Sequence, residues 1–194
     1  YFPRSYAESF CIFDNIFQNS KYQYSLFENK SLNILSVGCG TGGDIFGLLT
    51  TIIKYCHNVS NIRIWAIDGN EDALVLLEKI IEQFRKTTTK TIKLHPLKQI
   101  FYSVDDIDIQ QINQRKFDFI LSFKMICEII TTGTDSINNS YYDFVMKFTP
   151  FLTSKGLCVL LKKKKKTEHN TSFNPILMNR QVNQALLKLE EFQT

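Results

Sequence analysis

The stretch Leu32-Asn-Ile-Leu-Ser-Val-Gly-Cys-Gly-Thr-Gly-Gly43 decides the fold. Its first six residues make a short, largely apolar run that stops at glycine, the pattern of a strand buried on both faces. From Asp44 the chain reads DIFGLLTTIIKY, which puts Ile45, Leu48, Leu49, Ile52 and Ile53 on one helical face. Asp44 stands where a negative charge favours a helix N-terminus. A strand, a glycine turn and a helix in that order open a βαβ unit.

The same order repeats downstream. Residues 62–67 read as a second strand, Asp68-Gly69-Asn70 as its turn, and Asn70 as the cap of a helix. That helix has Ala73, Leu76, Leu77, Ile80, Ile81 and Phe84 as its apolar positions. A connection rich in lysine and threonine follows, in which Pro96 breaks regular structure, and then a strand-like run at 100–104 leads into Asp105-Asp106. Further strands are expected at 117–122 and 157–161, with a helix at 139–152 between them. A closing helix at 174–192 carries Ile176, Leu177, Val182, Ala185, Leu186 and Leu189 on its apolar side. At the other end, aromatic rings at 6, 10, 13 and 17 follow helical spacing and read as an amphipathic helix on a core.

Strands alternating with helices predict an α/β fold: a Rossmann-like, doubly wound, mostly parallel sheet with helices on both faces. The expected organisation is a helical segment at 1–30, the sheet domain at 31–161, and at 162–194 a lysine-rich connection and C-terminal helix of the same domain. A length of 194 residues suits one such domain, and 44% hydrophobic with 22% charged residues excludes disorder and fibrous repeats. No apolar run reaches the roughly 18 residues of a membrane helix. The opening YFPRSY has no initiator methionine and no signal-peptide pattern, so the chain is read as part of a longer product.

The net charge of +4 suggests a polyanionic partner, yet it depends on five consecutive lysines at 162–166, without which the balance is −1. Five cysteines, odd in number and with no C-x-x-C pair, read as reduced thiols of an intracellular, cytoplasmic protein. The three histidines are scattered, and no metal site is expected.

In open parallel sheets ligands bind at the carboxyl ends of the strands, where the strand order reverses. The glycine turn, Asp68 and Asp105 all stand at expected strand ends. Gly38, Gly40 and Gly43 fit the dinucleotide fingerprint, although a plain strand-to-helix turn also favours glycine. A carboxylate at Asp68 can accept two hydrogen bonds from a ribose diol, while Asp-Gly-Asn is also good turn chemistry by itself. A nicotinamide cofactor and a nucleoside without phosphates both remain open at this point.

LNILSVGCGTGG, IRIWAIDGNEDAL, FYSVDDID, KFDFILSF and GLCVLL together resemble the successive motifs of the class I S-adenosylmethionine-dependent methyltransferases, across residues 31 to 161. The resemblance implies S-adenosyl-L-methionine as cofactor and methyl transfer as activity. It implies that Gly38, Gly40 and Gly42, with Cys39 and Thr41 between them, shape the loop beside the methionine portion. Asp68 would hold the ribose hydroxyls and Gly69 or Asn70 would flank the adenine. Asp105, with Asp106 nearby, would meet the adenine amino group, and Ser122 and Phe123 would lie under the cofactor near its methyl. The family sheet closes with an antiparallel strand that this chain does not clearly supply, so the C-terminal strand is expected to be missing or to lie beyond the chain.

Methyl transfer from a sulfonium needs alignment and exclusion of water more than a fixed catalytic residue. The Asn/Asp-Pro-Pro-aromatic motif of amino-methylating nucleic-acid enzymes is absent, as is any Pro-Cys pair. Lys124 and Glu128 stand at i, i+4 after the fourth strand, where either contacts an acceptor, Glu128 acts as a catalytic base, or the two form a surface ion pair. The acceptor is open among small molecule, protein and RNA. RNA rests on the lysine run alone, and no membrane partner is expected. A cofactor-binding scaffold without catalysis is the rival reading.

Overall fold

The computed structural model describes residues 2–18, 30–126, 140–161 and 175–191. Helix α1 (Phe2–Gln18) leads into strand β1 (Ser31–Val37), helix α2 (Gly43–Tyr55), β2 (Asn61–Asp68) and α3 (Glu71–Arg85). Then come β3 (Thr91–Lys98), β4 (Phe117–Phe123), α4 (Ser140–Phe148), β5 (Leu152–Leu161) and α5 (Pro175–Glu191). A 3-10 turn at Thr149–Phe151, holding Pro150, separates α4 from β5.

The five strands lie in the order β3-β2-β1-β4-β5, and every pairing is parallel. The chain therefore winds outward from β1 to β3, returns to place β4 on the other side of β1, and continues to β5. This reversal between β1 and β4 is the switch point at which a ligand crevice opens. Strand β1 lies at the centre of the sheet, and four of its residues, Leu32, Ile34, Leu35 and Val37, are wholly buried between two helical layers.

One core lies between the sheet and α1, α2 and α3, and includes Phe13, Phe17, Ile45, Leu48, Leu77, Ile81 and Phe119. The aromatic stripe of α1 thus packs as its spacing predicts, with Phe13 edge-on to Phe119 at 5.7 Å. Helices α1 and α2 cross at close range at Gly47, where a Cβ would lie 2.5 Å from Ser9 Cβ. The Ser9 hydroxyl donates to the Asp44 carbonyl there at 2.6 Å. On the other sheet face Leu35, Trp65, Ile67, Phe117 and Ile120 meet Tyr141, Phe144 and Phe148 of α4, with Met178 and Val182 of α5 alongside.

Three expectations need correction. The third strand runs over Thr91–Lys98 and contains Pro96, while residues 100–104 form no strand. A proline is tolerated because β3 is an edge strand of the described sheet, hydrogen-bonded on one side only. In α3 the buried stripe is Leu74, Leu77 and Ile81, at i, i+3 and i+7, and Leu76 is 47% exposed. Leu186 of α5 is likewise exposed, whereas Gln181 is buried and accepts the Tyr141 backbone N–H. Segment 162–174, where a further strand or the lysine run would fall, lies outside the described residues. No helix among the described residues is long and apolar enough to cross a membrane.

Candidate functional site

Four strand ends build the site. After β1 the backbone turns through Gly38, Gly40 and Gly42, all at positive φ. Gly40 shows why the sequence needs glycine: at φ +52° an added side chain is strained, and its Cβ direction has no atom within 4 Å. The loop therefore offers bare backbone to open space. Its start is tied to β2 by Gly38 N–H and Cys39 N–H, which both donate to the Ile67 carbonyl.

Asp68 closes β2 and binds both sides of the turn. One carboxylate oxygen accepts Gly40 N–H at 2.6 Å and the other accepts Asn70 N–H at 2.8 Å. Each oxygen keeps a free lone pair, so the carboxylate is held in place and can still accept from a ligand. Asn70 caps α3 by accepting from Ala73 N–H at 3.1 Å.

These elements surround a cleft of about 510 Å³ at the C-terminal ends of the strands. Its lining includes Gly38, Cys39, Gly40 and Thr41 from the first loop, and Asp68, Gly69 and Asn70 from the second. Phe123 and Lys124 line it from the end of β4. Gly42, Ser122, Asp105 and Asp106 lie outside that lining. Gly42 is the N-cap of α2 and faces Leu77. Ser122 is buried within β4, and its hydroxyl has no hydrogen-bond partner among the described residues.

Asp105 and Asp106 stand apart because β3 ends at Lys98. The residues that follow it into the cleft are Gln99, Ile100 and Phe101. Asp106 accepts from the backbone N–H groups of Tyr102 and Ser103, which hold its carboxyl below the usual aspartate range. The Asp105 carbonyl accepts from Lys147. Sequence reasoning missed Gln99–Phe101 because Pro96 masked the strand. It also missed Phe2 and Ser5 of α1, which line the cleft and carry no sequence signal of that position.

Lys124 departs from the expected helical pair with Glu128, which lies outside the described residues. It sits at φ +72°, which is not a helical conformation, and its side chain is 9% exposed. Its ammonium lies 2.6 Å from Glu8 Oε2 and donates to Ser5 Oγ at 3.2 Å. Burial raises the Glu8 carboxyl, but hydrogen bonds from Lys124 and Arg4 outweigh it and hold the pKa below the ordinary value. Lys124 thereby fastens α1 across the mouth of the cleft.

Beneath the loop, Asp44 is fully buried and accepts from Ser36 Oγ at 2.6 Å. Burial pushes its pKa to about 6. Burial, with the charges of Asp44 and Asp68, also pushes the Cys39 thiol well up, so this thiol stays protonated at neutral pH.

Comparison with solved structures finds the same architecture. A protein provisionally named a sarcosine dimethylglycine methyltransferase, from Galdieria sulphuraria, superposes with a TM-score of 0.51 at 12% identity, over 89% of this chain and 60% of that one. The [4+2]-cyclase SpnF superposes with a TM-score of 0.51 at 11% identity, over 91% and 56%. The chain has the fold of the class I methyltransferases. The trans-methyltransferase CalH, solved with SAH, gives 0.47 at 12% identity, over 72% of this chain and 34% of that one. The chain thus spans less than two thirds of each of these three proteins. No family model and no curated protein matches the sequence. One of the two higher-scoring relatives in shape is a cyclase, so the fold alone does not fix the reaction.

Proposed function

We propose that this domain binds S-adenosylmethionine in the cleft and transfers its methyl group to an acceptor. The observation that carries the reading is Asp68: a carboxylate fixed by Gly40 and Asn70, with one free lone pair on each oxygen, at the edge of a cleft of about 510 Å³. That volume lies within the roughly 300–1,000 Å³ of small-molecule sites. The donor set fits the cofactor. Asp68 would take the ribose hydroxyls, and the open backbone at Gly40 would lie along the methionine portion. Gly69, Ala73 and Ile100 would enclose the adenine.

A nicotinamide dinucleotide fits less well, because its pyrophosphate needs the N-terminus of α2. Gly43 at that terminus lines the cleft, but α1 packs close against it: a Cβ on Gly43 would lie 2.7 Å from the Phe2 carbonyl and 2.9 Å from Ser5 Cβ, which narrows the room for a pyrophosphate.

Bound S-adenosylmethionine supplies a methyl group on an activated sulfonium leaving group. The chain's own part is alignment and exclusion of water. Lys124 holds α1 over the cleft through Glu8 and Ser5, and so acts as a positioning residue. Phe123 and Met125 give the cleft an apolar wall. Four described cysteines are free, which supports a reducing, intracellular setting.

The acceptor is found by incubating the protein with S-adenosylmethionine labelled at the methyl group and pools of RNA, protein and small molecules. Label should enter one pool, and a Gly40→Val variant should abolish the transfer. Tight cofactor binding with no label in any pool would favour a binding scaffold instead.

A further inference from the structure

A second feature lies away from the cleft, on the sheet face that carries Trp65. Register sets Arg63 of β2 beside Lys93 of β3, and Trp65 beside His95 two residues on. All four side chains share one face, because alternate residues of paired strands point the same way. His95 stacks on Trp65 with centroids 4.9 Å apart and planes 17° from parallel. The Arg115 guanidinium, just before β4, lies 4.8 Å from the Trp65 centroid.

Three cations from three elements therefore surround one aromatic pair. Like charges side by side on neighbouring strands destabilise a sheet. Among the described residues no carboxylate pairs with Arg63, Lys93 or Arg115. Burial lowers the His95 pKa, and the charges of Arg115, Lys93 and Arg63 lower it further, with no carboxylate acting on it. Arg63, Lys93, His95 and Arg115 are all exposed.

The exposure has a cause in the fold. A parallel β3-to-β4 crossover usually places a helix over the sheet. Here residues 99–116 form only turns. They bury Val104, Ile107 and Ile112 against the core and leave the β2–β3 margin open. Arg63 stands five residues before Asp68 on the same strand, about 16 Å away at the usual strand rise. The strip is thus separate from the cofactor cleft.

We propose that this strip binds single-stranded nucleic acid: Arg63, Lys93 and Arg115 meet backbone phosphates, and the outer face of His95 stacks a base. Cations that track a backbone beside a ring platform are the recurrent form of such sites. An acidic peptide would use the cations and leave the stacked ring without a role.

Trp65 is the chain's single tryptophan, so its fluorescence reports this site. Titration of the whole chain with oligouridylate should shift or quench that emission. Three phosphate contacts predict a log–log salt slope of about −2. Arg63→Gln together with Lys93→Gln should weaken binding about tenfold or more and bring the slope toward about −0.7, the value for one contact. Each single variant should weaken it about threefold, which keeps the test open if the double variant unfolds.

Replacement of the lysines at 162–166 should leave the Trp65 response in place. The proposal is overturned by a silent Trp65, by undiminished binding in the variants, or by loss of the response on replacing the lysine run. Polyglutamate binding as well as RNA would also overturn it and assign the strip to acidic peptides. The cofactor reading plays no part here, so the two readings fail separately.

Discussion

Asp44→Asn should stabilise the protein, and by an amount that grows with pH. The carboxyl is 2% exposed, and its one side-chain partner is the Ser36 hydroxyl at 2.6 Å. Burial is the largest influence on it and outweighs the hydrogen bonds from Ser36 and nearby backbone, taking the pKa from 3.8 to about 6. At 1.36 kcal/mol per unit, that displacement of about two units is worth about 3 kcal/mol. The folded state holds this proton more tightly than the unfolded state does. Stability from this group is therefore present below about pH 4, falls as pH rises between about 4 and 6, and is lost above. Asparagine keeps an acceptor for Ser36 and carries no charge. Urea unfolding of both proteins between about pH 4 and pH 7.5 isolates the effect, since other titrations cancel in the difference. The variant's advantage should rise by about 3 kcal/mol across that range. A flat difference, or one that shrinks as pH rises, would refute the account of Asp44.

Three further outcomes are expected. Gly40→Ala should cost about 1–2 kcal/mol in thermal unfolding, because of its positive φ, while cofactor affinity measured by calorimetry falls more than tenfold. A larger loss of stability than of binding would contradict an open Cβ direction at that residue. Lys124→Met should cost about 1–3 kcal/mol, between exposed and buried ion pairs, and hydrogen exchange should quicken in α1 before β1 or β2. Uniform quickening would count against its role as the α1 fastener. Among the four described thiols, Cys11 should alkylate first by mass spectrometry. Cys39 and Cys56 are buried, and burial pushes the Cys158 pKa to about 12.

The parts of the fold that could be read in the sequence are those where one local rule decides. The run ending in GCGTGG sets β1 and its turn, because a buried parallel strand is apolar throughout and the turn needs positive φ at three residues. The α1 stripe is legible because Phe13 and Phe17 obey helical spacing and meet a flat sheet. Strand β3 is not, because an edge strand need be neither apolar on both faces nor free of proline. That one displacement moves the end of the strand from Val104 to Lys98, and with it the residues that enter the cleft. Lys124 is illegible for a different reason. Its i, i+4 spacing to Glu128 suggests a helix, whereas its partner Glu8 stands 116 residues earlier in the chain, and only tertiary packing brings them together. The Trp65 strip is illegible in the same way, since net charge averages over exactly such placements: Arg63, Lys93 and Arg115 lie far apart in sequence, and only strand register and the β3–β4 loop gather them around Trp65.

The central claim is that Asp68 and the glycine loop hold S-adenosylmethionine. Calorimetric titration of the wild type and of Asp68→Ala, each with S-adenosylmethionine and with a nicotinamide dinucleotide, tests it most directly. The account predicts saturable, one-to-one binding of S-adenosylmethionine by the wild type, at least a hundredfold loss in Asp68→Ala, and no binding of the dinucleotide by either. Equal affinity in the two proteins, or preference for the dinucleotide, would contradict it.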